Sequence, residues 1–195
     1  MTKLTVVLLF SLCFLAPLTS QTKKIEMRKA VDFVPPKHQR ANKSLPDQIK
    51  ASLDTQFPGW IFVDNYYIFD VLDGELTQKE YPFDPNLISG DFDGDNHQDY
   101  AIQITNPDQS DSTDLVLAFL WRPGGYKQFL LESMQHFSPT DEYLWLSRKG
   151  THGYNAESED SLVFPCDAVT IEIWEKASTS YLYSHGEFTR IVTGD

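Results

Sequence analysis

The run LVLAFLW, Leu115 to Trp121, constrains the fold of this chain more than any other stretch. It is apolar at odd and even positions alike, and a strand buried on both faces is a central one. Pro123-Gly124-Gly125 follows and leads into Tyr126 to Leu131, the pattern of a hairpin. Tyr100 to Thr105 alternates before it. Further strands are expected at Tyr143 to Leu146, at Ala168 to Trp174, and at Ser180 to Tyr183 joined to Glu187 to Val192 through the Ser184-His185-Gly186 turn. Val169, Ile171 and Ile173 alternate with Thr170, Glu172 and Trp174, which gives that strand one wetter face.

Only SLPDQIKASLDTQFPGW reads as a helix. Ser44 suits a cap, Pro46 suits a first turn, Leu45, Ile49 and Leu53 recur every four residues, and Pro58-Gly59 stops the run. The expected class is α+β: a mainly antiparallel β-sheet with one N-terminal amphipathic helix packed on it.

The first 20 residues, MTKLTVVLLFSLCFLAPLTS, have one Lys, no acid and an apolar core from Leu4 to Leu15, the layout of a secretory signal peptide. That core is shorter than the ~20 residues that cross a bilayer, so no transmembrane segment is expected once the signal is removed. Residues 21–44 form a basic leader, and 45–195 are long enough for a single domain. Between Gln21 and Leu45 seven Lys or Arg face two acids, whereas from Pro46 onward eight face 26. An acidic body excludes nucleic acid as its partner, because phosphate contacts need a basic surface. A secreted or periplasmic protein follows, with a protein or a glycan as partner, for which aromatic residues such as Tyr143, Trp145, Trp174, Tyr181 and Tyr183 would form a surface. Cys166 is the one cysteine beyond the signal, so no intramolecular disulfide forms there.

Between the strands lies GDFDGDNHQDYAI. Counted from Asp91, carboxylates fall at positions 1, 3, 5 and 9 (Asp91, Asp93, Asp95 and Asp99), with His97 at 7. Alternate side chains of a tightly wound loop point inward, and position 7 adds a backbone carbonyl, which yields hard oxygen ligands suited to Ca²⁺. Gly94 and Asn96 tolerate the left-handed backbone that such winding needs. An EF-hand requires Glu at position 12, where this chain has Ile102. The calcium loop therefore runs straight into a strand. It resembles the loop of FG-GAP or VCBS repeats, as in the integrin α-subunit propeller, and that resemblance implies Ca²⁺ held by the residues matching Asp91, Asp93, Asp95 and Asp99. A propeller needs several blades, so the resemblance covers one strand-loop-strand unit. From LPDQIKASLDTQFPGW to its end, the chain is also similar to uncharacterised secreted bacterial proteins.

No GxSxG, HExxH or CxxC occurs, and His38, His97, His136, His152 and His185 lie in separate regions. Cys166 with His152 and Asp167 is the single nucleophile set that can be composed. Asp108, Asp111 and Asp114 lie three apart, a spacing that suits a solvated connection better than a second calcium loop. These features point to a non-catalytic calcium-binding module with a structural ion. The alternative is a protease or hydrolase inhibitor, since LPDQIKASLDTQFPGW resembles the Leu-Pro, helix, Phe-Pro-Gly pattern of PepSY-like domains. An enzyme ranks third.

Overall fold

Strand β4 (Thr113–Arg122) is the centre of the molecule, as its two apolar faces require. Leu117 and Phe119 bury into one core and Val116 and Leu120 into another, on the opposite side of the same strand. The computed structural model describes residues 45–63, 84–106, 113–135, 140–173 and 176–194. All of these fall within a unit spanning Pro35–Asp195. The expected signal peptide and basic leader, Ser44, His38, Asp108, Asp111, His136 and Trp174 lie outside the described residues.

The first sheet contains β1 (Ile61–Phe62), β2 (Leu87–Gly90), β3 (Asp99–Thr105), β4 and β5 (Gly125–Gln135), all antiparallel. β3 pairs with β4 along one edge, and β1 and β2 share its other edge. Gly124, at φ 98°, turns β4 back into β5 as the Pro-Gly-Gly signal requires. On one face Ile102, Ile104, Leu117 and Phe119 pack against Ile49 and Leu53 of α1 (Asp47–Gln56). Pro46 is the residue that caps this helix, without a side-chain hydrogen bond, and its carbonyl accepts from the N–H groups of Ile49 and Lys50.

A second sheet covers the opposite face. It has the order β11-β10-β9-β6, built from β6 (Glu142–Ser147), β9 (Ala168–Ile173), β10 (Ala177–Ser184) and β11 (Glu187–Gly194). His185 and Gly186, at φ 53° and 96°, make the two-residue turn between β10 and β11, the type I′ geometry that matches strand twist. Leu144, Val169, Ile171 and Tyr181 of this sheet meet Ile88, Ala101, Val116 and Leu120 of the first.

The α+β expectation is therefore overturned. Of the described residues 59% are strand and 8% helix, so the domain is a two-sheet β structure carrying one short helix. The physical reason is that the later strands do not widen the first sheet. They pair among themselves and supply its second cover. A hairpin of β7 (His152–Asn155) and β8 (Asp160–Val163) was not foreseen, because its polar, mostly exposed sequence carries no core signal. Among the described residues no helix is long and apolar enough to cross a membrane.

The expected wet face of β9 is only partly wet. Thr170 and Ser180 are buried, and a row of hydroxyls satisfies them across four strands: Ser147 to Thr170 at 2.8 Å, Thr170 to Ser180 at 2.9 Å, and Ser180 to Thr193 at 3.1 Å. Glu172 lies on the same face, and burial pushes its carboxyl up to about 7. A carboxyl raised in the folded state contributes stability that is fully present below its unfolded value near 4.5 and is lost as pH rises through about 7. Glu172→Gln should accordingly stabilise the chain at pH 8 by about 1 kcal/mol, after discounting for partial exposure, or about 3 °C in melting temperature. At pH 4 the two proteins should melt together. A variant that melts below the parent at pH 8 would sink the expectation.

Candidate metal centre

The aspartate loop fills residues 91–98 between two strands that pair directly, Gly90 opposite Asp99. Its winding is local chemistry. Asp91 Oδ2 accepts from the N–H of Asn96 at 3.1 Å, Asp93 Oδ1 from that of Asp95 at 3.2 Å, and Asp95 Oδ1 from that of His97 at 2.8 Å. Short acceptor side chains folding onto the backbone ahead of them are what Asp does best in turns. Gly94 at φ 79° and Asn96 at φ 64° take the left-handed conformations expected of them.

Asp99 ties this winding to the sheet. It is fully buried, and its two oxygens accept from the N–H groups of Phe92 and Trp121, each at 2.8 Å. Burial is the largest influence on its carboxyl and pushes it up to about 6. The two N–H groups work in the other direction, and the charges of Asp93 and Asp95 add to the rise.

The turn that leads into β9 of the second sheet clamps the loop from the far side. Phe92, fully buried, inserts its ring into the inter-sheet core. Its carbonyl accepts from the Cys166 thiol at 3.0 Å. Asp167 exchanges hydrogen bonds with Asp91, donating its N–H to the Asp91 carbonyl at 3.1 Å and accepting the Asp91 N–H at 3.2 Å. Arg148 and the N–H of Lys149 hold the same Asp167 carboxylate at 3.1 and 2.9 Å. Gly90 is required at this junction, since a Cβ there would lie 2.7 Å from Asp167 Oδ2 and 3.0 Å from Leu146 Cδ1.

Within this frame Asp91, Asp93 and Asp99 each offer an oxygen, all within 4.8 Å of one another. A Ca²⁺ that holds its ligands at ~2.3–2.6 Å bridges such a span. Asp91 Oδ1 is buried and has no hydrogen-bond partner, which for a carboxylate oxygen is an uncompensated loss of water. Ion binding would satisfy it. The donors are oxygen only, the set that suits a hard cation rather than zinc.

The other two expected ligands stand beside this triad. Asp95 bonds to the backbone and ring of His97, with Nδ1 3.2 Å from Oδ1. Burial is the largest single influence and raises its carboxyl, but the His97 interactions and a hydrogen bond with Asp93 together outweigh it and hold the group below the usual carboxylate range. The His97 ring stacks on Trp121 at 3.7 Å between centroids and 7° between planes. Arg122 is a member of the site that sequence reasoning missed. Its Nη1 lies 2.6 Å from Asp93 Oδ2 and 3.8 Å from Asp95 Oδ2. Nothing in the Trp-Arg-Pro-Gly sequence signals that contact, which arises from the pairing of β3 with β4.

The remaining candidates separate. Cys166 is buried, and burial first, then the charges of Asp91, Asp167 and Asp93, push its thiol up, away from the thiolate a nucleophile needs. His152 is exposed on β7. Asp114 is buried at the head of β4. No protein-family model, no curated protein and no solved structure matches this chain.

Proposed function

We propose that this protein is a secreted or periplasmic, non-catalytic module whose aspartate loop binds Ca²⁺, as FG-GAP and VCBS-type loops do. The observation that carries the reading is a buried, unpartnered oxygen, Asp91 Oδ1, on a residue whose carboxylate groups with two others in one ion's reach. Asp91, Asp93 and Asp99 would hold the ion, with Asp95 and the His97 carbonyl as neighbouring oxygens of the same turn. The ion's role is structural: it cancels like charge where the loop meets both sheets.

An ion bound only by the folded state stabilises by about 2.7 kcal/mol at a hundredfold excess over Kd. Adding CaCl₂ should raise the melting temperature of the full-length chain, and chelator should reverse the rise. Asp91→Asn should abolish the response while leaving the chelated protein within about 0.5 kcal/mol of the parent, since its Oδ1 has no protein partner to lose. Identical parent melting curves with CaCl₂ and with chelator would overturn the reading. A module of this kind contributes a surface for a protein or glycan partner rather than a reaction.

A further inference from the structure

We propose that Arg122 is the loop's built-in counter-cation, and that a divalent ion binds by displacing its guanidinium from Asp93; this rests on the calcium reading above. Asp93 is the only member of the triad that an Arg or Lys approaches among the described ion pairs. Its side chain is 7% exposed, so the contact at 2.6 Å is shielded from water. A guanidinium and a divalent ion drawn to one shielded carboxylate repel each other. The stronger charge takes the oxygen.

Arg122 has a place to go. Its Nη1 also donates to the Trp121 carbonyl, and its Nη2 lies 3.3 Å from the Tyr183 hydroxyl, with the guanidinium carbon 5.9 Å from the Tyr183 ring centroid. Tyr183 is itself held edge-on by Phe129 and Phe188, with centroids 5.6 and 5.1 Å away. Leaving Asp93 therefore gives up one partner while the Trp121 carbonyl and the Tyr183 ring of the second sheet still hold the guanidinium. The loop's affinity for the ion is set by this exchange, and Arg122 offsets the charge of Asp93 and Asp95 when no ion is bound.

Calorimetric titration of the full-length parent, Arg122→Gln and Arg122→Lys with CaCl₂ tests the exchange. Gln keeps hydrogen-bonding capacity without the charge, so its Ca²⁺ affinity should rise about tenfold while its melting temperature in chelator falls. Lys, which keeps the charge, should bind within about threefold of the parent. If the Gln variant binds no more tightly than the parent, the exchange is overturned and the calcium site stands. If neither protein takes up Ca²⁺, both proposals fall. The parent alone gives a second readout should the variants misfold: the Arg122 side-chain N–H signals should exchange faster with water once CaCl₂ is added, and unchanged signals would contradict displacement.

Discussion

Phe92→Ala is expected to destabilise the chain by about 3–5 kcal/mol, the range for emptying an aromatic site in a packed core. By sequence this phenylalanine sits between two aspartates in a polar turn, where truncation would ordinarily cost little. In the fold it is fully buried and belongs to the cluster that joins the two sheets, with Ile88, Leu120, Leu144 and Val169. Its backbone is fixed on both sides, by Asp99 at the N–H and by Cys166 at the carbonyl. The cavity left by the ring thus cannot be closed by a shift of the loop, which places the loss toward the upper end of the range. Urea unfolding in the presence of chelator measures it without any contribution from an ion. A midpoint change equivalent to less than about 1 kcal/mol, at unchanged slope, would mean that the ring is not part of the core. Phe92→Leu, which keeps most of the volume, should lose less than about half as much.

The second large effect is expected at Asp99. Its carboxylate is the shared acceptor of the Phe92 and Trp121 N–H groups, so Asp99→Ala leaves two donors unsatisfied. Each orphaned donor costs about 1–3 kcal/mol, offset in part because a buried carboxylate is itself expensive to keep charged. The expected net loss is about 2–4 kcal/mol. Asp99→Asn should fall between, since a carboxamide oxygen can accept from one N–H while its NH₂ meets the other donor. The loss should persist in chelator. That separates Asp99 from Asp91, whose replacement by Asn should matter only when Ca²⁺ is present. If Asp99→Ala were as stable as the parent in chelator and weaker only with Ca²⁺, the carboxylate would be a ligand alone and not the knot between loop and sheet.

Much of the strand layout was legible because it rests on local periodicity. The alternation in Tyr100 to Thr105, the two-sided apolar run of β4 and the Pro-Gly and His-Gly turns reappear within a few residues of where they were expected. The class was misjudged for a reason visible in β4 itself. A strand apolar on both faces demands two covers, and Ile49 and Leu53 of one ten-residue helix provide only one. The demand was local, but the identity of the second cover was not, because strands that extend a sheet and strands that cover it have the same alternation. The buried hydroxyl row of Ser147, Thr170 and Ser180 shows the same ambiguity, since Thr and Ser on one face of a strand can face water or each other.

The candidate site divides along the same line. Sequence alone determined the turn: which positions carry carboxylates, that Gly94 and Asn96 adopt left-handed backbone, and that a strand follows at once. These depend on neighbours a few residues apart, whose geometry the chain imposes whatever surrounds it. Tertiary structure alone decided that Asp99 is buried and accepts from the Trp121 N–H, that Phe92 faces inward, that Asp167 and Cys166 clamp the loop from the turn before β9, and that Arg122 reaches Asp93. Those contacts join residues from 22 to 76 positions apart. They form only when two sheets come face to face, and the burial that drives that packing is a property of surfaces that no single segment possesses.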